Sequence, residues 1–118
     1  MTVGEARKND GGKLRFDLIP PGPLKDLAVV YTVGATKYGD RNWERGLAWG
    51  RVFAAIQRHL WAWWGGEERD PEDGLSHLAH AAWGCLTLME YARTHPEMDE
   101  RGASDDHFRD ITKMESEE

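Results

Sequence analysis

The hydrophobic pattern along the chain has helical period in three places. Leu24, Leu27, Ala28, Tyr31 and Ala35 recur at i, i+3, i+4, i+7 and i+11 behind Pro23, a residue suited to a first helical turn. This predicts a helix over roughly 22–36. Val52, Ala55, Ile56, His59, Leu60 and Trp63 repeat in the same way and predict a second helix over 48–64, closed by Gly65–Gly66. A third is expected from about 70 to 94. Here Asp70 would be the N-cap, Pro71 the first helical residue and Asp73 the third, while Leu75, Leu78, Ala79, Ala82, Leu86 and Met89 would form the apolar face. Two adjacent prolines in KLRFDLIPPGP disfavour helix and predict an extended arm before the first helix. No segment alternates with period two. The expected fold is therefore all-α, a small bundle of about three helices with an N-terminal arm. It divides into a flexible start over 1–12, a helical body over 13–94 and an acidic tail over 95–118.

Composition sharpens this picture in two ways. Residues 95–118 hold nine acids against three bases, so the tail accounts for the whole net charge of −6 and the body is neutral. A neutral body argues against a nucleic-acid binder that relies on phosphate contacts. The one cysteine, Cys85, excludes an internal disulfide, lies in an apolar stretch that suggests inert packing, and points to a reducing cytoplasmic setting. No apolar run approaches the ~20 residues that span a bilayer, so neither a signal peptide nor a membrane anchor is expected.

The unusual stretch is Arg58 to His80, with three histidines and five carboxylates among otherwise apolar helix positions. Buried polar groups cost several kcal/mol unless paired or bound to metal. If helical, Asp73, His77, His80 and Gly84 share one stripe about 60° wide, with Gly84 leaving room beside the rings. Glu67 and Asp70 would then lie at a helix N-terminus, which favours anions. Each residue has a plainer reading: Asp70 and Asp73 as caps, His59 as a satisfied core histidine, Glu68 and Glu72 as solvated charge. The pair His77-x-x-His80 is the hardest to explain as capping or packing. Carboxylates suit Mg²⁺, and a mixed histidine–carboxylate set suits Mn²⁺. No P-loop, dinucleotide fingerprint or nucleophile elbow is present. The loop GATKYGDRNW adds Lys37 and Arg41 for phosphates, Asn42 for a base edge, and Tyr38 or Trp43 for stacking.

Three runs in order, RFDLIPP, GATKYGDRNWERG and RHLWAWWGGEERDPEDGLSHLAHAAW, make the chain resemble a phage-borne family described as dATP/dGTP diphosphohydrolases. That family is distantly related to the MazG-type all-α pyrophosphohydrolases. The resemblance covers about residues 11–93. It implies hydrolysis of a purine deoxynucleoside triphosphate to monophosphate and pyrophosphate with Mg²⁺ or Mn²⁺, in a dimer or tetramer. On that reading Glu67, His77, His80 and Arg58 act on the substrate. Lys37, Tyr38, Arg41, Asn42, Trp43 and His59 bind it, and Glu67, Asp70, Asp73, His77 and His80 hold metal. MazG-type enzymes use E-x-x-E and E-x-x-D pairs on adjacent helices. Here the second helix has no carboxylate, His77-x-x-His80 stands where E-x-x-D is expected, and Glu67-x-x-Asp70 alone keeps the spacing. The alternatives are a nucleotide-binding or sensing module without turnover, and a structural histidine–carboxylate network at a helical oligomer interface.

Overall fold

The computed structural model describes residues 4–102. Within them, three α-helices carry the fold: α1 Pro21–Tyr38, α2 Trp49–Trp64 and α3 His77–Thr94. No strand occurs among the described residues, and single 3-10 turns lie at Phe16–Leu18, Asn42–Arg45 and Pro96–Met98. The all-α expectation holds, and the first two helices start and stop within two residues of their expected ends. Most of the acidic tail lies outside the described residues.

The antiparallel pair α2 and α3 forms the centre, with α1 laid against α3. Their shared core is Trp49, Val52, Ile56, Ala81 and Tyr91, flanked by Trp43, Leu47, Leu88 and Met98. Burying a side chain such as Val52 or Ile56 contributes about 1.5–3 kcal/mol. Gly84 lets the two helices approach closely, because a Cβ there would collide with the Ile56 side chain. The room beside the histidines is therefore filled by a helix. Tyr91, fully buried, donates its hydroxyl to the Trp43 carbonyl and so ties the 42–45 turn to α3.

The third helix starts later than its sequence suggests. Residues 67–76 form a tight reversal in which Arg69 and Ser76 make one antiparallel bridge. The Asp70 amide donates to the Leu75 carbonyl at 2.8 Å, and the Gly74 amide donates to the Asp70 carbonyl at 2.7 Å. Asp70 and Asp73 act inside this turn, where their Oδ1 atoms accept from the Glu72 and Leu75 amides, each at 2.9 Å. Gly74 takes φ +74°, a left-handed conformation open to glycine at low cost. Asp-Pro followed by Asp-Gly is turn chemistry, and it prevails over the capping-box reading. The cap is Ser76, whose Oγ accepts from the Ala79 amide at 3.1 Å.

The buried faces also differ from expectation. On α3 they comprise His77, Ala79, Ala81, Gly84, Thr87 and Tyr91, whereas Leu78, Leu86, Met89 and Cys85 are exposed. Of the apolar stripe read from sequence, Ala79 is buried and Leu75 and Ala82 are half-buried, while Leu78, Leu86 and Met89 face outward, and Cys85 is not packing. On α1 the buried residue is Val30, and Leu24 is exposed.

Candidate functional site

Three segments converge where the C-terminal end of α2 meets the start of α3. Helix α2 presents His59, α3 presents His77 and His80 one turn apart, and the reversal between them supplies Glu67, Asp70 and Asp73. The His59 ring stacks on His80, with centroids 4.4 Å apart and planes 5° from parallel. Its Nδ1 lies 2.9 Å from Nδ1 of His77. His77 Nε2 is 2.6 Å from Glu67 Oε1, and His80 Nε2 is 2.7 Å from Asp73 Oδ2. Asp70 Oδ2 stands 3.9 Å from His59 Nδ1. Asp73 thus joins the cluster through a turn rather than through a helical stripe. With α3 beginning at His77, Glu67 and Asp70 are not at a helix N-terminus.

The contacts constrain the protons. A carboxylate only accepts, so His77 donates from Nε2 to Glu67, and His80 donates from Nε2 to Asp73. Two Nδ1 atoms at hydrogen-bonding distance share one proton. With neutral rings, His77 Nδ1 accepts from the Nδ1–H of His59. The neutral cluster then leaves lone pairs on Nε2 of His59 and Nδ1 of His80. Burial, followed by the neighbouring His80 and His77 charges, holds His59 below the ordinary histidine value, and Asp70 and Asp73 oppose this only in part. For Asp73, partial burial pushes upward. The Leu75 amide and His80 together outweigh it and hold the carboxyl below its usual range. Both directions favour the neutral form of His59 and the ionised form of Asp73.

One ligand atom each from His59, Asp70 and His80 lies within 4.8 Å of the others. Three atoms no farther apart than this surround a point at most about 2.8 Å from each, which puts a divalent ion with bonds of about 2.0–2.2 Å within reach of all three. Two imidazoles and a carboxylate suit Mn²⁺, and Mg²⁺ would draw more on Asp70, Glu67 and water. The donor set fits the implied metal, although His59 enters it in place of His77, which is already engaged on both ring nitrogens.

The residues expected to bind substrate are scattered. Lys37, at the end of α1, lies over the Tyr38 ring at 5.2 Å. Its ammonium is held above the ordinary lysine value, first by the Tyr38 hydroxyl and further by the Glu72 and Asp73 carboxylates. Arg41 has φ 57° and reaches Glu44 at 3.8 Å, and Asn42 opens the following 3-10 turn. Trp43 does not stand free to meet a base: it packs on the core between the rings of Tyr31 and Tyr91, with centroids 6.3 and 6.2 Å away. Arg58 is exposed on α2 beside the cluster. The pairing of His59 with His77 was not legible from spacing, since it depends on how two helices meet across a ten-residue reversal.

Residues 3–101 match the family described as "dATP/dGTP diphosphohydrolase, N-terminal". The chain is 36% identical over 94 residues to a protein of Salmonella phage PMBT28 named "dATP/dGTP diphosphohydrolase". The aligned part is 80% of this chain and 32% of that protein, so the chain spans about a third of the curated relative's length. No solved structure matches the chain.

Proposed function

The chain belongs to the dATP/dGTP diphosphohydrolase family, and on that premise we propose that its histidine–carboxylate cluster hydrolyses purine deoxynucleoside triphosphates. The products would be the monophosphate and pyrophosphate. The observation that carries this reading is the convergence of His59, His77 and His80 with Glu67, Asp70 and Asp73 from three segments onto one point. No packing requirement calls for such a cluster, and phosphoryl chemistry uses these groups.

His59, Asp70 and His80 would hold the Mg²⁺ or Mn²⁺, which when bound neutralises phosphate charge and lowers the pKa of water. Glu67 remains half exposed while bonded to His77 through Oε1. Its carboxylate accepts the proton of the attacking water, and the buried His77 ring orients it. The water oxygen bonds to the α-phosphorus, the bridging oxygen on the β-phosphate side leaves, and pyrophosphate departs. Lys37 and Arg58 offset the charge of the triphosphate, with Arg41 and Asn42 at the rim. The setting proposed is phage nucleotide metabolism in a host cytoplasm, in a homo-oligomer.

The test is pyrophosphate release from each dNTP with Mg²⁺ or Mn²⁺. Wild-type protein should turn over dATP or dGTP, and His80→Ala should fold and be inactive. Folded wild-type protein that releases no pyrophosphate from any nucleotide overturns the reading. Two observations favour a second reading, a nucleotide-binding module without turnover: helix α2 lacks carboxylates, and the relative extends well beyond the matched third. Binding without pyrophosphate release would select it.

A further inference from the structure

An open groove of about 560 Å³ runs along α2 from Gly50 to Arg58, with Trp83 of α3 on its side, within the volume range of small-molecule sites. Its floor is made of small residues, Gly50, Ala54 and Ala55, and its walls carry Arg51, Arg58 and Trp83. We infer that this groove is the nucleotide seat, with the polyphosphate held by Arg51 and Arg58 and the base set against Trp83. The inference rests on the reading that the chain handles nucleotides, not on whether it hydrolyses them.

Arg51 and Arg58 are seven residues apart on α2, so they share a face and lie about 10.5 Å apart along the axis. Both are exposed, and among the described residues no carboxylate lies within ion-pair distance of either guanidinium. Two unpaired arginines flanking a concave surface suit an extended polyanion, since each guanidinium offers a fork of donors to phosphate oxygens. Trp83 is half-buried on α3, with its ring 6.4 Å from Tyr31. An aromatic face next to cationic side chains binds a base with its phosphates. Trp43, the tryptophan that sequence spacing suggested for this task, is committed to the core.

Position supports the same assignment. Arg58 precedes His59 on α2, and Trp83 follows His80 by one turn on α3, so two of the lining residues are chain neighbours of the cluster. Glu100 closes the other end, where its Oε1 accepts the Gly50 amide at 2.8 Å.

The test is binding of the α,β-methylene analogue of dGTP with Mg²⁺, measured by calorimetry, with inorganic triphosphate as a second probe. Arg51→Ala and Arg58→Ala should each weaken both ligands about tenfold, the scale of one charge-assisted contact. Trp83→Leu should weaken the nucleotide by a similar factor and leave triphosphate unchanged. Trp61→Leu, on an exposed ring outside the groove, should change neither. Circular dichroism checks the fold of each variant, and the arginine variants, being on the surface, keep the test open if Trp83→Leu unfolds. Wild-type protein that binds neither ligand, or arginine variants with unchanged affinity, would overturn the inference. Tight analogue binding lost in the arginine variants, without pyrophosphate release from dGTP, would uphold the groove and remove the hydrolase reading. Turnover with unchanged KM in the arginine variants would do the reverse.

Discussion

A histidine with 4% of its surface exposed needs a partner for each ring nitrogen, and His77 has both, His59 on one side and Glu67 on the other. His77→Ala leaves a cavity and removes the partner of His59, so it should cost about 2 kcal/mol in chemical denaturation. Glu67→Gln keeps an acceptor for the His77 N–H but removes the carboxylate proposed as the base. Its denaturation midpoint should stay close to wild type while pyrophosphate release falls at least tenfold. Equal activity in the two proteins would exclude Glu67 as the proton acceptor. Thr87 presents the opposite case: it is fully buried, and its hydroxyl has no hydrogen-bond partner. Thr87→Val has the same shape without the stranded polar atom, and should raise stability by about 1 kcal/mol. A loss of stability in that variant would mean that the hydroxyl is satisfied in solution.

At the scale of elements, two joints hold the helices in register. One is the contact of Gly84 with Ile56. Gly84→Ala overpacks it and should destabilise by about 1–3 kcal/mol. Ile56→Ala/Gly84→Ala should lose less than the sum of the single changes, because the smaller side chain relieves the collision. The other joint is His95 at the end of α3. Its Nε2 donates to the Glu44 carbonyl at 2.6 Å, its Nδ1 lies 3.0 Å from Glu97, and its carbonyl accepts the Trp49 indole N–H at 3.1 Å. The Glu44 carbonyl first, and the Glu97 carboxylate after it, raise the His95 pKa above 6.5. The folded state then binds the proton more tightly than the unfolded chain. The stabilisation is complete below 6.5 and is lost as pH rises through the folded value. His59 has the opposite sign: its lowered value gives stability that is complete above 6.5 and is lost as pH falls below it. Denaturation midpoints of wild type and His95→Gln, taken from about pH 5 to 9 in chelator, should converge at the alkaline end.

The same elements show what spacing could and could not reveal. Periodicity located α1 and α2 because each is a single uninterrupted run ended by glycine. It misplaced the start of α3 by six residues, with Pro71 expected and His77 observed as the first helical residue, because Asp70-Pro71 satisfies both a helix N-terminus and a turn. The Glu72 amide on Asp70 suits either, and the backbone decides: the Asp70 amide turns back to the Leu75 carbonyl, and Arg69 pairs with Ser76. His77 and His80 stood out as a pair one turn apart. That Glu67 serves His77 and Asp73 serves His80 depends on the path of the reversal, which no period encodes.

For the whole molecule, the outward faces of the helices are more apolar than an isolated bundle of this size requires. Phe53, Leu60, Trp61 and Trp64 are exposed on α2, at i, i+7, i+8 and i+11, which makes one continuous stripe. Leu78, Leu86 and Met89 form another on α3 at i, i+8 and i+11, and Leu14, Phe16, Leu18 and Ile19 are exposed before α1. Single exposed apolar residues are ordinary, but stripes of this length mark association surfaces. The α3 stripe is the outward half of the apolar face that the sequence predicted for burial, so its pattern makes sense if a second copy covers it. Sedimentation equilibrium should therefore give a mass that is a multiple of 13.4 kDa. Trp61→Glu and Leu86→Glu should shift the distribution toward the monomer. A wild-type protein that sediments as a monomer at tens of micromolar would separate the apolar stripes from self-association. If dissociated variants also stop releasing pyrophosphate while their helical content is unchanged, the activity proposed for the histidine–carboxylate cluster depends on the assembly as well as on its own chain.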